Sequence, residues 1–292
     1  MTLEKQSPCK VNLLLNILGK RADGFHELET VMHPVNLFDR LSFRRAGSSV
    51  ELTCSDPILP VDGTNLVHRA AAAFREAAGV KDGVAIHLEK RIPMAAGLGG
   101  GSGNAATMLT GLNELFGEPL SAQRLHDLAA SIGSDVAFFL QRKPALATGR
   151  GEKIQSLDFF PALKGAAVLL IRPGFGVATA WAYQNLARFP EALNGRPGRA
   201  ENLVRLLNTF DLKTAVGEFY NSLEAPVLEK YPLLEVYQKF LREQGAAVAL
   251  MSGSGSTTFG ILASANAARR AEEKVKEKFG ACWTAVVEVK SV

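Results

Sequence analysis

The sequence has few cysteines and no long hydrophobic run. Its three cysteines, Cys9, Cys54 and Cys282, are odd in number and widely spaced, which suits neither a disulfide framework nor a zinc site. Apolar stretches such as AAVLLI at 166–171 are far shorter than the ~20 residues that a membrane-spanning helix needs. The first ten residues, MTLEKQSPCK, lack the apolar core of a signal peptide. These absences predict a cytoplasmic protein that does not enter a membrane.

The sequence also lacks a strong excess of charge of either sign. Lys and Arg number 33 and Asp and Glu 29, for a formal net charge of +4. Proteins that bind nucleic acid usually cluster basic residues with aromatic ones. Here bases alternate with acids, as in ARRAEEKVKEKFG at 268–280, a pattern typical of a solvated helix face. We therefore expect no nucleic-acid partner.

Strands and helices alternate irregularly along the 292 residues, which can form one large domain or two smaller ones. The run KVNLLLNIL at 10–18 predicts a strand. Helices are predicted after Asp62 within 61–80, over 104–117, over 121–133 with Ser121 as N-cap and Gly133 past the end, and over much of 201–245. The absence of strict β-α-β alternation favours an α+β fold in two lobes that meet at a cleft. Near residue 158 the segment DFFPALKG introduces a new predicted strand, AAVLLIRPG, and it divides the chain into predicted domains 1–157 and 158–292.

A dense glycine run, IPMAAGLGGGSGNAA at 92–106, follows a predicted strand and leads to the helix predicted to begin near Asn104. Each glycine inside a folded element costs roughly 0.5–1 kcal/mol relative to alanine, so the run needs a reason. One reason is phosphate binding, because bare backbone N–H groups and a helix N-terminus both attract anions. The alternative is a structural loop where two elements pack too closely for side chains.

Two better-known nucleotide motifs do not fit this run. A Walker A loop ends in Gly-Lys-Ser/Thr, but the nearest lysines are Lys90 and Lys143. Residues 101–106 match G-x-G-x-x-A formally. A Rossmann fingerprint also needs a second strand that ends in an acid about 20 residues later, and the residues downstream read as helical.

Three residues elsewhere could serve phosphoryl transfer. Lys10 and Asn12 are two residues apart on one predicted strand, so their side chains share a face. A lysine at the start of a strand is also often a solvated end. Asp135 follows a predicted helix end and could orient an attacking hydroxyl, or act as a simple helix N-cap. A nearby ammonium would favour its ionised form.

Two loops offer further candidates. Phe25 and His26 lie in the polar loop GKRADGFHEL at 19–28, where an exposed aromatic ring could stack on a base and histidine could bond to its edge. Simple packing is the alternative for this pair. Residues 251–256, Met-Ser-Gly-Ser-Gly-Ser, form a second glycine loop between two predicted strands. It is either a hairpin turn or a clamp over substrate phosphates.

At these residues the sequence resembles the GHMP kinases, a family of small-molecule kinases. The stretches PCKVNLLLNILGKRADGFHEL, IPMAAGLGGGSGNAA, IGSDVAFF and MSGSGSTTFG occur in the order seen in that family. DGTNLVHRAA, NSLEAPVLEKYP and ATGRGE extend the resemblance along nearly the whole chain. The glycine run is typical of the family, while GKRADGFHEL indicates the branch that acts on a cytidine diphosphate substrate.

The resemblance implies a ribosomal-protein-S5-like N-terminal domain, a ferredoxin-like C-terminal domain, and transfer of the γ-phosphate of ATP, with Mg²⁺, to a hydroxyl of a small cytidine diphosphate substrate. It makes Lys10 and Asp135 the catalytic pair, Asn12 a substrate contact, and Phe25 and His26 the holders of the cytosine ring. We also expect a monomer or weak homodimer, and no residues are predicted as magnesium ligands. The ATP-binding residues that the resemblance implies are Pro93, Met94, Ala95, Ala96, Gly97, Leu98, Gly99, Gly100, Gly101, Ser102 and Gly103.

Four positions depart from the family's usual residues. Phe25 stands where tyrosine is common, Ala95 where glycine is usual, Gly103 where serine is usual, and Ala137 where proline is common. Stacking survives at Phe25 without the tyrosine hydroxyl, and alanine resists a positive φ at residue 95. We expect these departures to alter nucleotide affinity and metal geometry and to leave the reaction class unchanged.

Overall fold

The protein is described here by a computed structural model that covers residues 2–280 and 282–289. The chain forms two compact units, each assembled from segments that are distant in sequence. The first unit consists of Met1–Cys9, Leu37–Met94 and Gly99–Arg142, and the second of Lys10–Asn36, Ala95–Leu98 and Lys143–Val292. The predicted domain boundary between residues 157 and 158 stays a prediction, because these units do not follow one cut along the chain.

The elements mix strands and helices, which confirms the predicted α+β class. The strands are β1 (Leu3–Lys20), β2 (His26–Arg45), β3 (Val50–Cys54), β4 (Val84–Glu89), β5 (Ala145–Gly149), β6 (Lys153–Ser156), β7 (Ala167–Arg172), β8 (Tyr220–Asn221), β9 (Val248–Met251), β10 (Thr258–Leu262) and β11 (Trp283–Glu288). The helices are α1 (Leu66–Ala78), α2 (Gly100–Leu115), α3 (Ala122–Ile132), α4 (Thr179–Asn185), α5 (Pro190–Leu193), α6 (Arg199–Leu207), α7 (Leu212–Ala215), α8 (Glu224–Lys230), α9 (Leu233–Glu243) and α10 (Ala265–Phe279). Among the described residues, no helix combines the length and apolar character needed to cross a membrane.

Most predicted elements form, but several boundaries differ from the prediction. Helix α3 has the expected cap, since the Ser121 hydroxyl accepts the Arg124 N–H. Helix α1 begins later than predicted, because the Asp62 carboxylate binds Thr64 in a turn and Asn65 caps the helix instead. Strand β1 extends the predicted run 10–18 at both ends. The helical region predicted at 201–245 is divided into short helices by β8.

In the first unit, helices pack on a small sheet. Strand β3 runs parallel to β4, and β4 runs antiparallel to the second half of β2. Helix α2 approaches β2 so closely that a Cβ on Gly111 would lie 2.0 Å from the Phe43 ring. Glycine is therefore required there for α2 to lie flat on the sheet.

The second unit contains further strand pairs and a separate antiparallel sheet. The first half of β2 pairs with β5, β5 pairs with β6, and β1 runs parallel to β8. The separate sheet has the order β11-β7-β10-β9. Its buried side chains form one core with those of α9 and α10, among them Leu169, Ile171, Leu241 and Val275.

Two buried titratable groups in the second unit have opposite effects on stability. Burial raises the pKa of Glu224 to about 7 and lowers the pKa of His33 to about 4. Between about pH 4.5 and 6.5, unfolding releases a proton from Glu224 and takes up a proton at His33. The two contributions cancel, so wild-type stability should vary little with these two groups in that window.

Glu224→Gln should remove this cancellation. The free energy of unfolding of the variant should rise, relative to the unaltered chain, by about 1.4 kcal/mol per pH unit between about pH 4.5 and 6.5, because His33 is then unopposed. Urea unfolding at several pH values measures this slope. His33→Gln is the matched control and should change the slope in the opposite direction, while equal slopes in all three proteins would contradict the prediction.

Candidate active site

The glycine run forms the end of a loop and the first turn of helix α2. Gly99 is the N-cap, with φ of 68°, and the helix begins at Gly100. The prediction that it begins near Asn104 is therefore wrong by one turn, because Gly100, Gly101 and Gly103 are helical despite their low helix propensity. The backbone N–H groups of Gly100, Gly101 and Ser102 precede the first bond of the helix ladder, in which the Gly103 N–H donates to the Gly99 carbonyl at 2.9 Å. Such N–H groups at a helix start suit an anion.

Close packing explains three of the glycines. A Cβ on Gly97 would lie 1.9 Å from the Ser252 carbonyl oxygen, one on Gly103 would lie 2.3 Å from the Pro8 carbonyl oxygen, and one on Gly100 would lie 2.9 Å from Ile92. At these three positions the chain packs too closely for a side chain, as the structural-loop alternative predicted. Phosphate binding by the same residues is compatible with this packing. Ala95 has φ of 48°, so it takes the left-handed conformation that the usual glycine would adopt more easily.

The serine that is usual in the family should not be tolerated at position 103 of this chain. Gly103→Ser should destabilise the first unit by roughly 1–3 kcal/mol, because the new Cβ overlaps the Pro8 carbonyl. Gly101→Ala is the control in the same helical turn. Its Cβ would meet only Leu66, at 3.6 Å, and it should be neutral or stabilising. Urea unfolding checks both variants, and equal effects would contradict the steric argument.

A buried ion pair that the sequence did not reveal lies beneath the first turn of α2. Asp39 is completely buried and binds the Lys90 ammonium. The Asp39 carboxylate also accepts the backbone N–H groups of Arg91 and Ile92 and the Asn104 amide, at 2.7, 2.8 and 2.9 Å. This Asp39 cluster joins β2 to the segment that precedes the glycine run and to α2 itself. It therefore fixes where the helix begins.

Lys10 and Asn12 lie together on β1 in the second unit, as their spacing predicted. Lys10 is only 3% exposed, so it is not a solvated strand end. Its ammonium donates to the Asn12 side-chain oxygen and, at 3.1 Å, to the Gly97 carbonyl. The Asn12 amide donates to Thr30 at 2.9 Å. These bonds place the Lys10 ammonium against the Gly97 carbonyl of the glycine run.

The second glycine loop, residues 251–256, begins at the last residue of β9 and forms most of a tight turn that leads to β10. The Ser252 N–H donates to the Thr257 carbonyl and the Gly255 N–H to the Ser252 carbonyl, both at 2.9 Å. The Ser252 hydroxyl donates to the Gly97 carbonyl at 3.0 Å, and the Thr257 N–H donates to the Ala96 carbonyl at 3.2 Å. The loop is therefore a hairpin turn, as one of the two sequence interpretations predicted. Its bonds to the Ala96 and Gly97 carbonyls hold residues 96–97 in place.

Asp135 belongs to the first unit. It is half-buried and lies between the end of α3 and a 3₁₀ turn at Ala137–Leu140. Val136 is the cap residue of that turn and makes no side-chain capping bond. Because Lys10 lies in the second unit, the pairing of Asp135 with Lys10 stays a prediction. The glycine run is likewise shared, with Ala95–Leu98 in the second unit and its other residues in the first.

Phe25 and His26 lie beside residues that the sequence did not single out. Phe25 is 54% exposed, and the Arg150 guanidinium lies 4.6 Å from the centre of its ring. The His26 ring lies 5.2 Å from the Tyr183 ring. Burial and the neighbouring Lys20 lower the pKa of His26, which favours the neutral imidazole, a donor at one nitrogen and an acceptor at the other. An exposed ring next to a cation suits a flat, charged ligand.

Within residues 2–280 and 282–289, no group of three or more His, Cys, Asp or Glu side chains is placed to hold a metal ion. Mg²⁺ at phosphoryl-transfer sites usually takes one or two carboxylates together with substrate phosphates. Such a site does not need a cluster of this kind.

Comparison with known proteins identifies one family. Residues 65–143 match the GHMP kinases N terminal domain, and residues 191–281 match the GHMP kinases C terminal domain. Two relatives named 4-diphosphocytidyl-2-C-methyl-D-erythritol kinase are similar to nearly the whole chain. The one from Syntrophotalea carbinolica is 40% identical over 96% of this chain and 95% of its own, and the one from Pelotomaculum thermopropionicum is 42% identical over 92% of each.

Solved structures agree with the sequence comparison. A 4-(cytidine 5'-diphospho)-2C-methyl-D-erythritol kinase has a TM-score of 0.82 and 35% identity, covering 98% of this chain and 99% of its own. A homoserine kinase from Cytophaga hutchinsonii has a TM-score of 0.74 and 20% identity, covering 99% of this chain and 95% of its own, and so shares the fold. The chain therefore belongs to the GHMP kinase family.

Proposed function

We propose that this protein transfers the γ-phosphate of ATP to the 2-hydroxyl of 4-diphosphocytidyl-2-C-methyl-D-erythritol, giving the 2-phosphate and ADP. The observation that carries the proposal is the buried Lys10 ammonium bound to the carbonyl of Gly97 within the glycine run. Relatives that share about 40% of this sequence are named for this substrate. The reaction belongs to the non-mevalonate route to isoprenoid precursors.

Phosphate binding is assigned to residues 93–103. The N–H groups of the first turn of α2, which begins at Gly100, would bind phosphate oxygens of ATP, since unpaired donors and the helix dipole both favour negative charge there. Lys10 would stabilise the charge that develops on the transferred phosphoryl group. Two unit charges about 4 Å apart interact by roughly 4 kcal/mol at an effective dielectric constant of 20, so one ammonium has a large effect.

Asp135 is assigned to the acceptor alcohol. Phosphoryl transfer has a loose transition state that demands little of its nucleophile. A carboxylate that orients the hydroxyl and takes its proton late is therefore sufficient. Mg²⁺ would supply positive charge that offsets the negative charge of the ATP phosphates, and Asn12 would contact the substrate beside Lys10.

The cytosine ring is assigned to Phe25 and His26. The exposed Phe25 ring offers a stacking face, and the neutral His26 ring offers a donor and an acceptor to the base edge. The Arg150 guanidinium next to Phe25 suits the negative charge of the diphosphate.

We also propose a cytoplasmic location and a monomer or weak homodimer. The boundary between the two family domains along the chain is proposed near residue 158.

Phe25→Ala should weaken binding of the cytidyl substrate and leave ATP binding unchanged. Base stacking on an aromatic ring contributes about 1–3 kcal/mol, so KM for the acceptor should rise about 10-fold or more with KM for ATP constant. Phe25→Tyr, which keeps the ring, is the control and should retain the KM of the unaltered chain or improve it. An unchanged acceptor KM in Phe25→Ala would remove the ring from the binding site.

ADP release tests the proposed function. The chain is incubated with ATP and Mg²⁺ and offered 4-diphosphocytidyl-2-C-methyl-D-erythritol, mevalonate, homoserine or galactose. Turnover with the cytidyl compound alone is expected. Turnover with another acceptor would retain the kinase activity and overturn the substrate assignment. Tight ATP binding with no turnover on any acceptor would favour a nucleotide-binding sensor, since folds can lose chemistry while they keep ligands.

A further inference from the structure

Ser252, in the turn between β9 and β10, is bonded to two residues that accept hydrogen bonds from the Lys10 ammonium. Its side chain is completely buried. The Ser252 hydroxyl donates to the Gly97 carbonyl at 3.0 Å and accepts the Asn12 backbone N–H at 3.4 Å. The Lys10 ammonium donates to the same Gly97 carbonyl at 3.1 Å and to the Asn12 side-chain oxygen. Lys10 and Ser252 therefore share one acceptor.

The turn that carries Ser252 is held firmly from the opposite side. The Asn221 amide donates to the carbonyls of Met251 and Gly253, both at 2.8 Å, and the Met251 N–H donates to the Glu224 carboxyl at 2.7 Å. The Ser252 backbone lies against Gly97, where no Cβ fits. These bonds fix Ser252 on both sides, so its hydroxyl presents a constant donor to Gly97.

The Gly97 carbonyl needs such a donor because its own backbone is permissive. Gly97 has φ of 75° and no side chain, so local sterics restrict its peptide orientation less than they would for any other residue. A rotation of that peptide would move the acceptor of the Lys10 ammonium. A displacement of about 1 Å at a reacting group can cost about 100-fold in rate.

We propose that Ser252 is a positioning residue, whose hydroxyl holds the Gly97 carbonyl in the orientation that directs the Lys10 ammonium at the transferred phosphoryl group. This inference rests on the role that the proposed function gives to Lys10. Ser252 itself need not touch either substrate. Its removal should therefore act on the rate of phosphoryl transfer and hardly on binding of ATP or acceptor.

Ser252→Ala, measured in the full-length chain with ATP and the cytidyl acceptor, tests this role. We expect kcat to fall roughly 10- to 100-fold while both KM values stay within about three-fold. Ser222→Ala is the matched control. Ser222 is also completely buried, and its hydroxyl accepts the Ile17 N–H of the same strand β1 at 2.9 Å. Ser222→Ala removes an equivalent bond without touching Gly97, and its kcat should stay within about three-fold of the unaltered chain.

Thermal unfolding of both variants separates positioning from loss of structure. Ser252→Cys replaces the hydroxyl by a thiol, which is a weaker donor at the same position. Its kcat should lie between those of Ser252→Ala and the unaltered chain. Equal kcat values for Ser252→Ala and Ser222→Ala, or a raised KM with an unchanged kcat, would overturn the inference. Failure of the unaltered chain to release ADP with any acceptor would overturn the proposed function, and this inference with it.

Discussion

Asp135→Ala should bind ATP as the unaltered chain does and lose nearly all turnover. The substitution removes the carboxylate assigned to the acceptor hydroxyl, and a positioned proton acceptor contributes typically 10²- to 10⁴-fold to rate. The expected result is a fall of about that size in kcat. ATP affinity, measured by calorimetry without acceptor, should stay within about three-fold, because phosphate binding is assigned to the glycine run. Near-normal turnover would remove Asp135 from the mechanism.

Two controls make the Asp135 result specific. Asp135→Asn keeps the size of the side chain and can still hydrogen-bond to a hydroxyl, but it cannot accept the proton. Asp135→Asn should therefore lose most of the rate of phosphoryl transfer. A rate close to that of the unaltered chain would show that orienting the acceptor hydroxyl is sufficient and that Asp135 need not accept its proton. Asp127→Ala, on α3 in the same unit, removes an exposed carboxylate that is bonded to Gln123 and should leave kcat unchanged.

Asp39→Asn should destabilise the first unit more than any of the other single substitutions. It leaves the buried Lys90 ammonium without its counter-charge, and breaking a buried ion pair in this way costs about 3–5 kcal/mol. Urea unfolding followed by circular dichroism measures the loss. Adding Lys90→Met should recover part of it, because the second change removes the uncompensated charge. Hydrogen exchange at the Gly103 N–H, which donates to the Gly99 carbonyl, should accelerate in the single variant.

A surface ion pair supplies the control for Asp39. Lys143 and Asp158 are in contact at 2.9 Å with side chains that are 53% and 89% exposed, and such pairs contribute about 0–1 kcal/mol. Asp158→Asn should therefore change the free energy of unfolding little. If Asp39→Asn costs no more than Asp158→Asn, the Asp39 cluster does not hold the start of α2.

The features that sequence reasoning found are those with a local signal. Ser121 and Gly133 marked the ends of α3 because capping depends on a few neighbouring residues. The spacing of Lys10 and Asn12 placed both side chains on one face of β1, where they bond to each other. The glycine run stood out because its composition is costly in any folded element.

The errors arise from a competing local turn in one case and from contacts between distant segments in the others. Asp62 has the residue type of an N-cap but binds Thr64 in its own turn, so Asn65 takes the cap. The start of α2 was placed one turn late because glycine has low helix propensity, whereas packing against Ile92 and Pro8 holds Gly100 and Gly103 in the helix. Arg150 and Tyr183 were missed beside Phe25 and His26, since nothing in the intervening sequence brings them together.

The sequence by itself determined the α+β class, most of the elements, the family and the candidate residues, because hydrophobic periodicity, caps and motifs are properties of short segments. Only the tertiary structure decided which distant groups meet. Asp39 binds Asn104 across 65 positions of the chain, and Ser252 binds Gly97 across 155. Such contacts depend on how the strands and helices pack, and polar groups that packing buries must find partners wherever the fold provides them.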